Sequence, residues 1–389
     1  MSSTLLSPVV TPEHTTGAAI LGIGTSVPPA SYTQQFTLEF LSRLSAFSDK
    51  ERRFLRRLYQ NTAIDKRHTV IDDYGKDPSA YTFYPKNDQL LPEPGLEARN
   101  DVFIRESDRL SEQAARSLFS TLPQFDPQAI TDLITVTCTG FSAPGFDFHL
   151  VKALGLRRDI HRTHVAFMGC YAGFPAMRLA RDICVANPGA HVLIVAVELC
   201  TLHFQLKPQL DFMIANALFA DGAAAALVGP ASDDGQAQRG GAGRQAKLLL
   251  DGFASRIVPE SEQAMAWKIG ERAFDMRLSA YVPRLIETNI RSIVEDLLGA
   301  AGDVCGDVDI WAIHPGGRAI LDRTAAALNI PESALIHSYE VLREYGNMSS
   351  ATIFFVLKRI LGDSRSGTVF ATAFGPGLTV ESGLFRKLP

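Results

Sequence analysis

The segment HVAFMGCYAGFPAMRLA, residues 164–180, carries the strongest local signal in the chain. Its apolar residues predict a short strand over 165–168, and the small and apolar residues that follow predict a helix over 171–186. Cys170 lies at the junction of the two. The unpaired N–H groups and positive dipole end of a helix N-terminus stabilise a thiolate, the nucleophilic form of cysteine. The segment therefore predicts a nucleophilic Cys170, although a buried structural cysteine explains it equally well.

Outward from this segment, apolar strands alternate with helical periods, which predicts an α/β fold with helices covering a sheet. A similar order of elements before and after the Gly-, Asp- and Gln-rich segment 231–246 suggests two similar halves. The strands are predicted at residues 18–23, 133–138, 191–198 and 308–314, with a closing hairpin of 368–374 and 378–384, and the other helices at 107–122, 278–298 and 347–361. The predicted divisions are a flexible tail at 1–16, an N-terminal half at 17–240 and a C-terminal half at 241–389.

Composition excludes several classes of protein. The chain has 389 residues, is 46% hydrophobic and 21% charged, and has a net charge of −4, so it lacks the basic field of a nucleic-acid-binding protein. No run of apolar residues is long enough to predict a membrane span, and the N-terminus lacks the pattern of a signal peptide. The five cysteines include no CxxC pair, which predicts reduced thiols in a cytoplasmic protein rather than disulfides or a metal site.

Two other segments carry candidate catalytic side chains. His314 ends an apolar strand in WAIHPGG, residues 311–317; such a histidine is more often part of the core, but beside an activated cysteine it is a candidate ion-pair partner. Asn347 lies in YGNMSS, residues 345–350. An asparagine near a helix start is a common N-cap, and its amide is alternatively a donor for a developing oxyanion.

Together, Cys170, His314 and Asn347 resemble the Cys-His-Asn triad of the type III polyketide synthases, the chalcone synthase-like family. The resemblance extends to ALFADGA at 217–223 and AFGPGL at 373–378. It implies an α/β fold of the thiolase-like αβαβα layered type with two similar halves, and a homodimer.

The resemblance also implies a mechanism. Cys170 attacks a starter acyl-CoA and holds the acyl group as a thioester, while His314 stabilises the thiolate. His314 and Asn347 then bind the thioester carbonyl of malonyl-CoA as it loses CO₂, and the resulting enolate attacks the acyl group. No metal or redox cofactor is expected, because decarboxylation itself generates the carbanion in an oxyanion-stabilising pocket.

The family pattern also indicates residues around the substrate. Phe219 matches a gatekeeper phenylalanine between the CoA tunnel and the cavity, and Met276 occupies the second gatekeeper position, where plant members have Phe. Core packing is the alternative for Phe219. Cys138 matches a cavity cysteine of bacterial members, and Gly375 and Pro376 belong to the loop that resembles the family's GFGPG loop.

Three positions resemble microbial alkylpyrone and alkylresorcinol synthases. Thr139, Ala143 and Cys200 are small, as in that subgroup, where small residues open a side tunnel for a long acyl chain; a fatty chain requires such an apolar channel. His203 stands where plant enzymes often carry Thr. These departures favour a medium- or long-chain fatty acyl-CoA starter and an alkylpyrone or alkylresorcinol product.

CoA is expected to bind through cations and loop backbone near the tunnel mouth. Six residues fall at the family's CoA positions: Arg53, Arg56, Arg57, Gly316, Gly317 and Ala319. Asn61 replaces a lysine of the plant enzymes, and a solvated helix face is the alternative for the arginines.

Two other functions remain open. A ketoacyl-ACP synthase III has the same fold and triad but performs a single condensation with malonyl-ACP. A non-catalytic partner subunit of the same fold binds or scaffolds without reacting, and acylation of Cys170 distinguishes it from an enzyme.

Overall fold

The computed structural model of the protein describes residues 9–10, 17–231 and 247–388. Most of the predicted tail at 1–16 and of the predicted loop at 231–246 thus lies outside the described residues. The strands are β1 (Val9–Val10), β2 (Ala18–Ser26), β3 (Ser31–Thr33), β4 (Lys66–His68), β5 (Asp132–Thr137), β6 (His161–Ala166), β7 (Val192–Leu199), β8 (Asp221–Pro230), β9 (Leu248–Ile257), β10 (Met265–Ile269), β11 (Phe274–Leu278), β12 (Ile310–Ile313), β13 (Gly367–Gly375) and β14 (Thr379–Lys387). The α-helices are α1 (Gln34–Ser42), α2 (Asp49–Gln60), α3 (Leu96–Thr121), α4 (Phe146–Ala153), α5 (Gly173–Ala186), α6 (Leu210–Leu218), α7 (Val282–Ala301), α8 (Arg318–Leu328), α9 (Ile336–Tyr345) and α10 (Thr352–Gly362).

The main sheet repeats one strand pattern twice. Its order is β12-β13-β14-β9-β2-β8-β7-β5-β6, with β1 paired to β9. In the first half β5 and β7 are parallel, β8 is antiparallel to β7, and β2 is antiparallel to β8. In the second half β12, β13, β14 and β9 repeat that order and those directions, and the first half adds β6 as an edge strand. The halves join where Ala19 and Ile20 pair with Leu249 and Leu248, so the prediction of two similar halves is confirmed.

Alternate strand residues of the first half face two different layers, as the pleat requires. On β8, Ala224 and Ala226 belong to the central apolar cluster that contains α5 and α10, whereas Ala225 and Leu227 pack with the inner face of α3. The first half of the sheet therefore lies between α3 and the two central helices.

The second half of the sheet has the same arrangement. On β13, Val369 and Ala371 belong to the central cluster, and Phe370 packs with α7 and α8. The layers run from α3 through one half-sheet to α5 and α10, then through the other half-sheet to α7 and α8. This is the predicted αβαβα arrangement. Among the described helices, none has both the length and the apolarity that a membrane span requires.

All four predicted helices begin elsewhere in the structure, α5 by only two residues, at Gly173 rather than at 171. Helix α3 begins at Leu96 rather than at 107, because a buried Arg99 occupies the inner face of its first turns and masks the apolar period. Helix α7 begins at Val282 rather than at 278, since the preceding residues form β11, which pairs with β10 in a hairpin that the sequence did not predict. Helix α10 begins at Thr352 after a 3₁₀ turn over Ser349–Ala351.

Arg99 holds the 3₁₀ turn that contains Leu202 and leads to Phe204. Its side chain is fully buried, its Nη1 donates to the carbonyl oxygens of Leu202 and Phe204, and its Nε donates to that of Pro94 at 2.9 Å. The nearest carboxylate oxygen is that of Glu93, 3.8 Å away. The guanidinium therefore acts mainly as a buried donor for backbone carbonyls.

We expect Arg99→Met to lower the free energy of unfolding by about 3 kcal/mol, because three buried carbonyls lose their donor. Urea denaturation measures the change. Arg105→Met is the matched control on the same helix, since that side chain is 66% exposed, and it should cost less than about 0.5 kcal/mol. Equal costs for the two variants would contradict a bonding role for Arg99.

Candidate active site

Cys170, His314 and Asn347 line a single cavity of about 270 Å³, here called the Cys170 cavity. Each residue comes from a different element: Cys170 precedes α5, His314 follows β12, and Asn347 lies between α9 and α10. Apolar atoms supply most of the cavity wall. The fold therefore brings together three polar side chains that are far apart in the sequence.

The turn that carries Cys170 packs tightly on a loop of the second half. Phe167 and Gly169 have positive φ angles of 58° and 81°, a region that glycine enters without strain. A Cβ on Gly169 would lie 2.3 Å from Cδ of Pro376, and one on Gly375 would lie 2.5 Å from the ring of Tyr171. The loop containing Gly375 and Pro376 thus fixes the backbone on either side of Cys170.

Burial raises the pKa of the Cys170 thiol to about 12, although hydrogen bonds from Ser349 and Asn347 oppose the change. A helix N-terminus beside Cys170 was predicted to stabilise the thiolate. Helix α5 begins at Gly173, three residues after Cys170, and removal of the thiol from water outweighs its hydrogen bonds. A thiolate here requires a positive charge close to it.

His314 is the candidate for that charge. Its side chain is buried, and burial lowers its pKa to about 3. Neither ring nitrogen has a hydrogen-bond partner among the described residues, so one nitrogen is free to accept a proton. Thiolate and imidazolium are each costly alone in this cavity, and only as a pair does their attraction offset the loss of hydration.

Asn347 is fixed through both its backbone and its amide. Its N–H donates to the carbonyl of Leu218 at 2.9 Å, and its own carbonyl accepts from the N–H of Ala220 at 2.8 Å. Its Oδ1 accepts from the N–H of Ser349 at 2.8 Å, and its Nδ2 donates to the carbonyl of Gly316 at 3.3 Å. Asn347 therefore supports the start of the 3₁₀ turn, although the N-cap residue is Met348, and its amide also reaches the Cys170 sulfur.

A buried carboxyl group, which the sequence analysis missed, lies behind the cavity wall. Glu198 accepts hydrogen bonds from the Ser350 hydroxyl, from the N–H of Cys138 at 3.0 Å and from the Thr139 hydroxyl at 3.0 Å. Burial raises its pKa. Ser349 completes the network with its Oγ 3.3 Å from Sγ of Cys138. A lone acid in an otherwise apolar strand was the sequence signal that would have revealed Glu198.

The hairpin of β10 and β11 covers one side of the Cys170 cavity. Its inner face presents two cross-strand pairs, Met265 with Leu278 and Trp267 with Met276. The indole N–H of Trp267 donates to the carbonyl of Cys138 at 2.6 Å. Trp267 was missed because the hairpin was not predicted.

The structure places most of the predicted substrate residues on the cavity wall. Besides the three polar side chains, the lining contains Cys138, Thr139, Cys200, Phe219, Met276, Gly316, Gly317, Ala319 and Pro376. Gly375 does not line it and instead packs behind Cys170.

Two other predicted substrate residues do not line the Cys170 cavity. Ala143 is exposed beside β6 and lines a separate depression with Phe141 and Phe148. His203 lines a second cavity, where its Nε2 donates to the carbonyl of Thr139 at 2.7 Å and its Nδ1 accepts from the N–H of Phe274. Burial lowers the pKa of His203 to about 3. It is a neutral residue that joins the hairpin to β5.

The predicted arginines lie on α2 beside the cavity mouth rather than on its wall. Arg53 and Arg57 are exposed and share a helix face with Asn61, which lines the cavity. Arg56 is also exposed but lies on a neighbouring face of the helix. Arg318, which the sequence analysis did not single out, lines the cavity and is paired with Asp322.

Comparison with known proteins gives one consistent family. Residues 10–232 match the model for the N-terminal domain of chalcone and stilbene synthases, and residues 250–389 match the model for their C-terminal domain. The chain is 33% identical to bisdemethoxycurcumin synthase of Oryza sativa subsp. japonica over 95% of its own length and 92% of that protein.

Solved structures give the same result. PKS-I from the brown alga Ectocarpus siliculosus has a TM-score of 0.87 and 29% identity, covering 97% of this chain and 100% of that one. The C-terminal type III polyketide synthase domain of Steely1 from Dictyostelium has a TM-score of 0.85 and 28% identity, covering 96% and 100%.

We expect His314→Ala to slow the alkylation of Cys170 by iodoacetamide at neutral pH by about tenfold or more, because loss of a neighbouring cation raises a thiol pKa by one unit or more. The curve of alkylation rate against pH should also shift to higher pH. Peptide mass spectrometry after timed exposure measures both. His149→Ala, on the partly exposed α4, should change neither, and an unchanged rate in His314→Ala would show that His314 does not support the thiolate.

Proposed function

The chain belongs to the chalcone and stilbene synthase family, the type III polyketide synthases, and from this premise we propose that it extends a medium- or long-chain fatty acyl-CoA with malonyl-CoA at Cys170. The product is closed to an alkylpyrone or alkylresorcinol. The observation that carries the proposal is the convergence of Cys170, His314 and Asn347 on one largely apolar cavity.

The side chains are suited to successive steps. Cys170 gives its proton to His314, its sulfur attacks the acyl-CoA carbonyl, and CoA leaves as the acyl-cysteine thioester forms. Malonyl-CoA then binds with its thioester oxygen towards His314 and the Asn347 amide, whose Nδ2 hydrogen no longer faces a thiolate once Cys170 is acylated; these two groups stabilise negative charge there. Loss of CO₂ leaves an enolate; its carbon forms a bond to the acyl carbonyl, and the bond to Cys170 sulfur breaks. Decarboxylation supplies the electron pair, so these steps require no metal or redox cofactor.

The cavity mouth suits the phosphates of CoA. The exposed Arg53 and Arg57 share the face of α2 that leads to Asn61 on the cavity wall, with Arg56 on a neighbouring face, and Arg318 lines the cavity at the start of α8. Gly316, Gly317 and Ala319 provide a wall without long side chains. This arrangement supports CoA as the carrier of both starter and extender.

The cavity lining supports a fatty starter. Leu58, Ile214, Leu218, Leu278 and Phe374 are among its apolar side chains, and apolar surface binds alkyl chains in proportion to the area it buries. Thr139 and Cys200 keep the wall beside Cys170 thin.

A homodimer is supported by the open edge of the sheet. Among the described residues, β6 pairs only with β5, and its outer side is exposed. Phe141, Phe148 and Phe167 nearby are 49%, 41% and 37% exposed. An open strand edge beside exposed aromatic side chains is a surface that a second copy of the chain buries. We also propose a cytoplasmic location, since all five cysteines are free thiols.

The purified protein, supplied with malonyl-CoA and a series of starters from acetyl-CoA to stearoyl-CoA, should form alkylpyrones or alkylresorcinols from the longer starters. Product mass spectrometry detects them, and Cys170→Ala should reduce them by about a thousandfold or more. Products formed only from p-coumaroyl-CoA would support polyketide synthase activity and would contradict the proposed fatty acyl-CoA starter. A single condensation that requires malonyl-ACP would instead indicate a ketoacyl-ACP synthase.

We expect the protein to sediment as a dimer and Phe141→Glu to raise the dimer dissociation constant by about tenfold or more, because a carboxylate would be buried in an aromatic contact. Val304→Glu is the matched control, since Val304 is also exposed (64%) but lies in the second half. Sedimentation of the unaltered protein as a monomer would contradict the dimer.

A further inference from the structure

The C-terminus of α6 lies against the turn that carries Asn347. The last carbonyl groups of a helix have no hydrogen-bond partner within it. Helix α6 closes with the N–H of Phe219 donating to the carbonyl of Ala215 at 3.0 Å. The carbonyls left without a donor from the helix are therefore those of Asn216, Ala217, Leu218 and Phe219, and the last two of these residues line the Cys170 cavity.

Three of the four carbonyls accept hydrogen bonds from buried side chains that come from the first part of the chain: Tyr59, Gln34 and Arg67. The Tyr59 hydroxyl donates to the first carbonyl at 3.1 Å, and Nε2 of Gln34 donates to the second at 2.8 Å. Arg67 donates from Nη1 to the carbonyl of Phe219 at 2.6 Å. The end of α6 is thus held by side chains of other elements.

Asn347 supplies the donor for the fourth carbonyl. Its N–H donates to the carbonyl of Leu218 at 2.9 Å, and its own carbonyl accepts from the N–H of Ala220 at 2.8 Å. These two bonds make a short parallel bridge between Asn347 and Phe219. The backbone of Asn347, and with it the direction of its amide, therefore follows the position of the Phe219 backbone.

Arg67 holds this bridge from two sides. It binds the Phe219 carbonyl, and its aliphatic stem lies against Gly346, where a Cβ would be 2.9 Å from Cγ of Arg67. Its Nε donates to Oε1 of Gln34 at 2.9 Å, which orients the amide that binds the end of α6. The guanidinium also places a positive charge at the negative end of the α6 dipole. Arg67 thus links the end of α6 to the residue before Asn347.

We propose that Arg67 is a positioning residue for the loss of CO₂ from malonyl-CoA: it fixes the bridge between Phe219 and Asn347 and so directs the Asn347 amide at the thioester oxygen. Arg67 does not line the Cys170 cavity, so it influences the reacting groups only through the residues it holds. The inference rests on the proposed function for the part that Asn347 plays. Donors stabilise a developing oxyanion most when they are already in place, which is the condition that Arg67 maintains.

Decarboxylation can be measured without the nucleophile. In a Cys170→Ala background, malonyl-CoA has no acyl-cysteine to attack. The bond to its carboxylate breaks, CO₂ leaves, and the carbon that keeps the electron pair takes a proton from water to give acetyl-CoA. Chromatography of acetyl-CoA over time gives kcat and KM for this step, and the variants below are compared in this background.

Arg67→Met should lower kcat for decarboxylation by about tenfold or more, because a displaced amide stabilises the developing charge less well. KM should stay within about twofold, because the interaction that is lost acts on the transition state. Arg67→Lys keeps the charge and one donor for the Phe219 carbonyl and should recover most of kcat. Lys66→Met is the matched control, since Lys66 is exposed on the same strand, and it should change neither constant.

Arg99→Met separates positioning from a general loss of stability. It too removes a buried arginine that binds backbone carbonyls, but those carbonyls belong to a different turn. Under conditions where urea denaturation shows both variants to be folded, Arg67→Met should slow decarboxylation and Arg99→Met should not. Equal losses of kcat in the two would overturn the inference. If Arg67→Met does not fold, Gln34→Met takes its place with the same expected loss, because Gln34 binds both Arg67 and the end of α6.

Asn347→Ala distinguishes failure of the inference from failure of the proposed function. It should lower kcat more than Arg67→Met does, and the double variant should be no slower than Asn347→Ala alone, because Arg67 acts through that side chain. Slow decarboxylation in Asn347→Ala with an unchanged rate in Arg67→Met would overturn the inference and leave the proposed function intact. An unchanged rate in Asn347→Ala would instead contradict the proposed mechanism, and the role of Arg67 with it.

Discussion

The structure depends on burying two apolar helices, α5 and α10, between two half-sheets. Both helices carry apolar residues on nearly all sides, so each requires a sheet on two faces. Duplication of one strand pattern supplies the two sheets. The turns before these helices carry Cys170 and Asn347, and both turns reach the same cavity. The layer that gives the core its stability thus also brings the reactive residues together.

The position of the cavity at the end of the central helix layer explains the electrostatics of the site. A cavity built at the end of the central layer is desolvated, so burial raises the pKa of Cys170 and lowers that of His314. Neither the Cys170 thiolate nor the His314 imidazolium is stable by itself, so the two charges form together and are neutralised together. Such a site favours chemistry in which a proton moves over a short distance and a developing oxyanion meets fixed donors such as Asn347.

The elements that the sequence predicted well are those whose residues repeat with a clear period. Strands β2, β5 and β7 and the closing hairpin were found because they are almost wholly buried. Strand β8 was not predicted, and β6, predicted at 165–168, lies at His161–Ala166 because its mostly exposed side chains give no apolar run. The family resemblance identified Cys170, His314 and Asn347, and the fold places them together. Position relative to a particular cavity was harder to predict: Ala143 lies outside the Cys170 cavity and His203 lines a neighbouring one, because a small or polar residue shows no preference for one side of a loop. Arg99 and the β10–β11 hairpin were missed since a buried charge and a half-exposed ribbon both disrupt the expected pattern.

The reactive groups and the β10–β11 hairpin that shapes the cavity are held by different kinds of contact. Residues near the nucleophile are fixed by backbone contacts, such as those between Asn347 and both Leu218 and Ala220, and by the close approach of Gly169 to Pro376. The hairpin is held instead by side chains, chiefly Trp267 and His203. Substitutions in the hairpin can therefore reshape the cavity without moving the reactive groups, because the two depend on different contacts. A condensing enzyme built in this way can change its starter while keeping its chemistry.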